Sequence, residues 1–269
     1  SFLNTNVMRE GSERDANVSV GQTNLFSRDR KFNLNAELKV SSIFEEETPE
    51  LGHAVSIDLA KVAGLWRYGF GYSEESDTYD PNDLGFLYIN NSRNYYADLR
   101  WNDFSPGKIF LRKLISASIY YEELYKPKRF SYGGIALETV ATFKKFLTIG
   151  LDGSVNPFGE VDHFESRQLG KEVRFKPNFS LGGFYSSDYS KRFALDLRFW
   201  YKQFINSSQK GANFVVSPRV RLSDRTFLVF RTKWDFILAD YGYVRALDQM
   251  YADDIMLGFR DRLITENSL

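Results

Sequence analysis

An all-β, antiparallel transmembrane β-barrel is the fold this sequence predicts, and three observations predict it. Side chains alternate in polarity along one segment after another. Short connections between those segments alternate with longer, more polar ones. No window approaches the ~18 unbroken apolar residues of a spanning helix, which leaves closed sheet as the route across a bilayer. The short turns are Ser27 to Arg30, Val62 to Gly64, Phe104 to Gly107, Lys144-Lys145, Ser187 to Lys191 and Ser223 to Arg225. Between them lie Arg9 to Ala16, Phe44 to Gly52, Glu74 to Arg93, Lys126 to Phe130, Pro157 to Glu172, Ile205 to Ala212 and Ala239 to Arg262. Outer-membrane barrels place short turns on the periplasmic side and long loops outside, so this ordering bears on location.

The strands follow in chain order. Over Lys31 to Ile43, Phe32, Leu34, Ala36, Leu38 and Val40 face one way, and Lys31, Asn33, Asn35, Glu37 and Lys39 the other. That is strict period two. Tyr95, Ala97, Leu99 and Trp101 oppose Asp98 and Arg100; Gly107 to Tyr125 and Ser131 to Phe143 read as a long pair that projects beyond a bilayer. Leu147, Ile149 and Leu151 oppose Thr148 and Asp152, and Phe193 to Tyr201 sets Phe193, Leu195, Leu197 and Phe199 against Asp196 and Arg198. Leu228, Phe230, Trp234 and Phe236 oppose Arg231, Lys233 and Asp235, and a last strand starts near Leu263. These segments make about 13 to 14 strands of ~9 to 13 residues, which suits a tilted crossing better than globular sheets do. A final strand cut short at Leu269 reads as part of a larger barrel. Aromatic ends at Trp66 to Tyr72, at Tyr95 and Trp101, and at Phe193 and Tyr201 are candidate interfacial girdles.

Composition supports a wall of two faces. Aromatic residues reach 16%, yet 26% of residues are charged, so the chain is apolar in pattern without being apolar in bulk. Formal charge is zero, with 35 basic and 35 acidic residues, which argues against a nucleic-acid partner held by phosphate neutralisation. With no cysteine there is no disulfide, thiolate metal site or cysteine nucleophile. The chain opens at Ser1 without Met or a signal-like segment and reads as one architectural unit taken from a mature or longer protein.

Two segments carry a family resemblance. Asp80-Pro81-Asn82-Asp83-Leu84-Gly85-Phe86-Leu87, followed by Asn90-Asn91, resembles an "NPNDLGFL…NN" signature of large Bacteroidota outer-membrane proteins. Asp254-Ile255-Met256-Leu257-Gly258-Phe259-Arg260-Asp261, running into Thr265-Glu266-Asn267, is similar to that family's "DIxxGRRDxxTxEN" segment, with Phe259 where the family has its first Arg. The resemblance implies a C-terminal barrel of unknown function, preceded in full-length members by a soluble domain like carbohydrate-binding modules of family nine. It therefore implies a Gram-negative outer-membrane location and a glycan-related role through a domain outside these residues.

Chemistry is sparse. His163 sits among Glu160, Asp162 and Glu165, and His53 opens a strand; both read as ordinary loop and strand-end residues, because acid–base or metal work needs groups that converge. Asp77, Asp80, Asn82 and Asp83 offer oxygen ligands without EF-hand spacing; they read first as the turn chemistry of a solvated loop, with folding into the lumen or docking of a partner as the alternative. No G-x-S-x-G, H-E-x-x-H or P-loop occurs, so no catalytic residue, cofactor or metal is assigned. The inward face carries charges of both signs, with one local basic excess. Arg198, Arg219, Arg221, Arg231 and Lys233 are the candidate lumen or solute contacts. The expected function is an outer-membrane barrel, either a transport channel or a membrane subunit of a larger complex. Its partners are lipid, other outer-membrane or periplasmic proteins, and glycan. A scaffolding barrel with a closed lumen is the first alternative, and a membrane-embedded hydrolase the second.

Overall fold

The computed structural model describes residues 1–11, 14–45, 48–168, 170–246 and 255–268. Among them every regular element is a strand. In order these are β1 (Phe2–Val7), β2 (Asp15–Phe26), β3 (Phe32–Phe44), β4 (Glu50–Lys61), β5 (Trp66–Glu75), β6 (Ser92–Asp103), β7 (Phe110–Leu124), β8 (Phe130–Phe143) and β9 (Thr148–Asn156). Then follow β10 (Glu160–Asp162), β11 (Val173–Phe175), β12 (Asn178–Ser186), β13 (Phe193–Phe204), β14 (Lys210–Arg221), β15 (Phe227–Val229), β16 (Arg231–Ala246) and β17 (Ile255–Ser268). The seventeen belong to one antiparallel sheet. Seventeen strands exceed the expected 13 to 14, because β1 has six residues and β10, β11 and β15 only three each; the other thirteen are nine to sixteen residues long, and β7, β8, β16 and β17 are longer than expected.

The chain divides into two compact units, residues 1–100 with 118–132 and residues 101–117 with 133–269. In the first, β1 to β5 pair each with the next. The registers line up Leu34, Leu59 and Phe70 in one cross-strand row and Asn35, Asp58 and Gly71 in the next. Since successive side chains point to opposite faces, one face of this sheet is apolar and the other polar. In the second unit β8 pairs with β9, β9 with β12, and β12 with β13; β13, β14, β16 and β17 continue the series. The same division recurs there. Leu151, Gly183, Phe199, Phe214 and Trp234 form one row, and Asp152, Gly182, Trp200, Asn213 and Asp235 its polar neighbour.

The apolar rows are not covered by protein. Ile57 is 45% exposed, Leu59 51% and Phe70 56%, and Leu151, Leu181 and Phe214 are similarly open. Total accessible surface is 17923 Å², whereas a water-soluble folded chain of this mass exposes about 12,000 Å² by the usual size scaling. Among the described residues, part of that excess is the open surface of these apolar rows.

Two expectations are corrected. The connection Ala239 to Arg262 is mostly strand, because β16 and β17 pair from Arg231↔Ser268 to Ala246↔Ile255. The last strand therefore begins at Ile255 rather than near Leu263 and runs for 14 residues. Register shifts between Ile237 and Asp240 and between Tyr243 and Arg245 break the period-two pattern within this pair. The short/long alternation holds only in part, since 45–49, 125–129 and 205–209 are no longer than the turns at 27–31 or 187–192. Residues 247–254, with the first residue of the second motif, lie outside the described ones.

Candidate functional site

The polar face carries the groups able to meet a solute, and in each unit a connection folds over it. In the first unit that connection is residues 76–91. Tyr79 is 4% exposed and packs on Gly52 of β4, where a Cβ would stand 2.3 Å from the Tyr79 Cα, too close for any side chain. Beneath the loop Ser41 of β3 is fully buried, and its hydroxyl accepts the Asp80 N–H at 3.1 Å. Because Ser41 shares its face with Glu37 and Lys39, the loop lies on the polar side.

Every polar residue of the first motif has work in this docking. Asp83 meets Arg9 at 2.8 Å and Arg14 at 2.6 Å, and Arg14 also reaches Asp80 at 3.2 Å. Asn82 accepts the Leu87 N–H at 2.6 Å and so closes the bend internally. Asn90 donates to the carbonyls of Asp77 and Tyr79, while Asn91 exchanges two 2.8 Å hydrogen bonds with the backbone of Lys126. Burial alone would raise the Asp83 carboxyl, but the hydrogen bonds from Arg9 and Arg14 outweigh it and hold it below the usual carboxylate range. Asp83 thus spends its oxygens on guanidinium groups, and Asp80 divides its own between Arg14 and the Asn82 N–H, which it accepts at 2.9 Å. Among the described residues no group of three or more His, Asp or Glu side chains is placed to hold a metal ion.

In the second unit residues 157–177, with the β10–β11 hairpin, fold back in the same way. Glu160 accepts the Lys202 ammonium at 2.7 Å and the amides of Asn156 and Asn178 at 2.9 Å each. Its burial raises its pKa, and the Lys202 charge with the two amides more than reverses that. Glu165 accepts the Tyr243 N–H at 2.7 Å, over Gly242, where a Cβ would lie 2.7 Å from the same carboxylate oxygen. His163 is not a solvated loop residue: its side chain is 8% exposed, with Nδ1 3.5 Å from Glu172. The second motif braces β16 and β17. Asp261 accepts the Ala239 N–H at the register shift, Arg260 and Arg262 both reach Asp240, and Glu266 meets Lys233 at 3.3 Å.

The five candidate contacts lie on the polar face of β13, β14 and β16, and three of them have side-chain or backbone partners there. Lys233 is held by Asp235 at 2.7 Å and by Glu266. Arg219 is stacked between the rings of Tyr189 and Phe227 at 4.5 and 4.8 Å, and Arg221 donates to the Tyr189 carbonyl at 3.0 Å. Arg198 faces Val215 in register, with Lys233 one strand further on, a separation of roughly 10 Å at normal strand spacing. Asp196 has two hydroxyl partners, Ser186 at 2.7 Å and Tyr189 at 2.5 Å, rather than a cation.

Sequence reasoning missed a cluster on the other face. Glu74 of β5 accepts from Arg93 at 3.0 Å, from His53 at 3.2 Å and from the Tyr72 hydroxyl. Arg93 also reaches Glu123 at 3.3 Å and lies 5.0 Å from the Tyr125 ring centre, and below it Tyr72, Tyr95 and Tyr121 follow one another as near-neighbour rings. Its His53–Glu74, Glu74–Arg93 and Arg93–Glu123 contacts join residues 19 to 30 apart in sequence, which no local motif marks.

A family model described as a domain of unknown function, DUF5916, matches residues 1–269. No curated protein and no solved structure matches the chain.

Proposed function

The chain belongs to the DUF5916 family, a domain of unknown function, and we propose that its sheet is the wall of a transmembrane β-barrel in a Gram-negative outer membrane, serving as a transport channel or as the membrane subunit of a larger complex. One observation carries the reading: apolar side chains in register, such as Leu59 and Phe70, stay open, back to back with positions such as Asp58 and Gly71. In water such apolar rows are a liability; in hydrocarbon they are the required surface. Lipid also demands that no sheet edge be left unpaired, so a wall of this kind requires closure. Outer-membrane location follows from the same reasoning, as does orientation, with the turns at 27–31 and 187–192 on the periplasmic side and the connections at 76–91 and 157–177 outside. No catalytic role is assigned.

The experiment is fractionation followed by gel mobility with and without heating. The protein is expected in the outer-membrane fraction as a heat-modifiable band. Recovery as a soluble species with one mobility would contradict the proposal. A second reading, a scaffold with a closed lumen, is favoured by the docked 76–91 loop, which buries Ser41 on the polar face. Conductance in planar bilayers separates the two: steps of current support a channel, and a silent, heat-modifiable protein supports the scaffold.

A further inference from the structure

The six connections 27–31, 62–65, 104–109, 144–147, 187–192 and 222–226 together carry nine Lys or Arg and three Asp or Glu, whereas the described residues of the remaining connections carry nine of each. Among the described residues the short connections are therefore the basic ends of the strands. The basic connections are also edged with open apolar side chains. In the first unit Phe26 is 57% exposed, Leu65 52% and Trp66 53%, beside the exposed Arg28, Arg30 and Lys31. The turns at 27–31 and 62–65 are held side by side by the Phe32↔Lys61 pairing, and the Lys61 ammonium lies 5.9 Å from the Tyr68 ring centre. The second unit repeats the arrangement independently, with Arg112 over Phe104 at 5.0 Å, Arg219 between Tyr189 and Phe227, and exposed Phe146 next to Lys144 and Lys145.

Neither feature alone names a partner. Together they do, because a ring that reaches into the edge of hydrocarbon and a cation at the same level match the boundary of an anionic bilayer. A protein partner would have to supply carboxylates at each of these turns, and nothing in their geometry selects one. We propose that in each unit, taken by itself, the short-turn end of the strands is a collar segment that binds the headgroups of anionic phospholipids, with the aromatic side chains seated at the acyl boundary. This rests on the membrane reading above and adds to it a lipid preference and the side on which that preference acts.

The test uses Trp66 as a reporter at the collar. The chain carrying Trp101→Phe, Trp200→Phe and Trp234→Phe is reconstituted in phosphatidylcholine vesicles that contain an equal mole fraction of either brominated phosphatidylglycerol or brominated phosphatidylcholine. The brominated phosphatidylglycerol is expected to associate roughly fivefold more tightly at low salt, the effect of one basic side chain near an anionic surface. Its excess quenching should disappear at high salt and in a protein that also carries Arg28→Gln, Arg30→Gln and Lys31→Gln. Strong and equal quenching by the two lipids would overturn the collar and leave the membrane reading standing. Failure of both lipids to quench Trp66 would overturn the membrane reading itself. If the tryptophan substitutions abolish the heat-modifiable band, native mass spectrometry of the wild-type chain extracted from mixed vesicles replaces them: enrichment of phosphatidylglycerol over phosphatidylcholine supports the collar, and equal retention overturns it.

Discussion

At the scale of single residues, the docked 76–91 loop turns on one carboxylate and one missing side chain. Asp83 is gripped by Arg9 and Arg14, and Asp83→Asn removes the charge while keeping the shape. Charge-assisted hydrogen bonds of this kind contribute about 1–2 kcal/mol net, so backbone amides of residues 84–91 should exchange with deuterium about tenfold faster in the variant. Because the Asp83 carboxyl is held below its ordinary range, its contribution is complete above the unfolded value of about 3.9 and is lost as pH falls through the folded value. Wild type and variant should therefore differ at pH 7 and converge only below about pH 4. Convergence near neutrality would contradict the latch. Gly52→Ala attacks the same loop from beneath, where the new methyl meets the Tyr79 backbone rather than a side chain that can rotate away. A loss of about 1–3 kcal/mol in thermal unfolding is expected, with the loop released; unchanged stability and exchange would contradict the packing.

At the scale of elements, β13 puts its two faces in direct competition. Leu197→Arg near mid-strand should cost about 2–4 kcal/mol if that side chain faces hydrocarbon. Asp196→Asn should cost about 1 kcal/mol, because it weakens two hydrogen bonds that the carboxylate accepts from the neutral hydroxyls of Ser186 and Tyr189 and breaks no ion pair. Refolding from urea in lipid measures both, and equal losses would reject the assignment of faces. The strand pattern itself is legible because alternation is local: Phe32 to Val40 announces its two faces without reference to any partner. Where alternation fails, the strands cease to be legible. The register shifts at 237–240 and 243–245 move apolar and polar side chains out of phase, so a pair of strands has the sequence character of a long loop. The partners of the loops are equally hidden. Arg9 lies 74 positions from Asp83 and Glu160 lies 42 from Lys202, so composition marks these segments as polar but does not show which charge each meets. His163 has the sequence surroundings of a solvent-facing residue for the same reason, since its burial depends on Glu172 and on how the 157–177 connection folds back.

At the scale of the molecule, the proposed wall matches an excess of exposed apolar surface to lipid, and the two ends of its strands differ in charge. Orientation then has a direct test. An epitope placed at Gly170, an exposed position where an added Cβ would meet no atom within 4 Å, should be labelled on intact cells. Labelling only after the outer membrane is opened would invert the topology. The most direct measurement of the two-faced wall returns to two adjacent positions. The chain has no native cysteine, so Leu197→Cys and Asp196→Cys each introduce a single thiol into the membrane-inserted protein. Leu197→Cys should be shielded from water-soluble thiol reagents and respond to quenchers dissolved in the lipid, and Asp196→Cys should do the reverse. Equal behaviour at the two positions, or reaction of Leu197→Cys with a water-soluble reagent, would contradict the two-faced membrane wall.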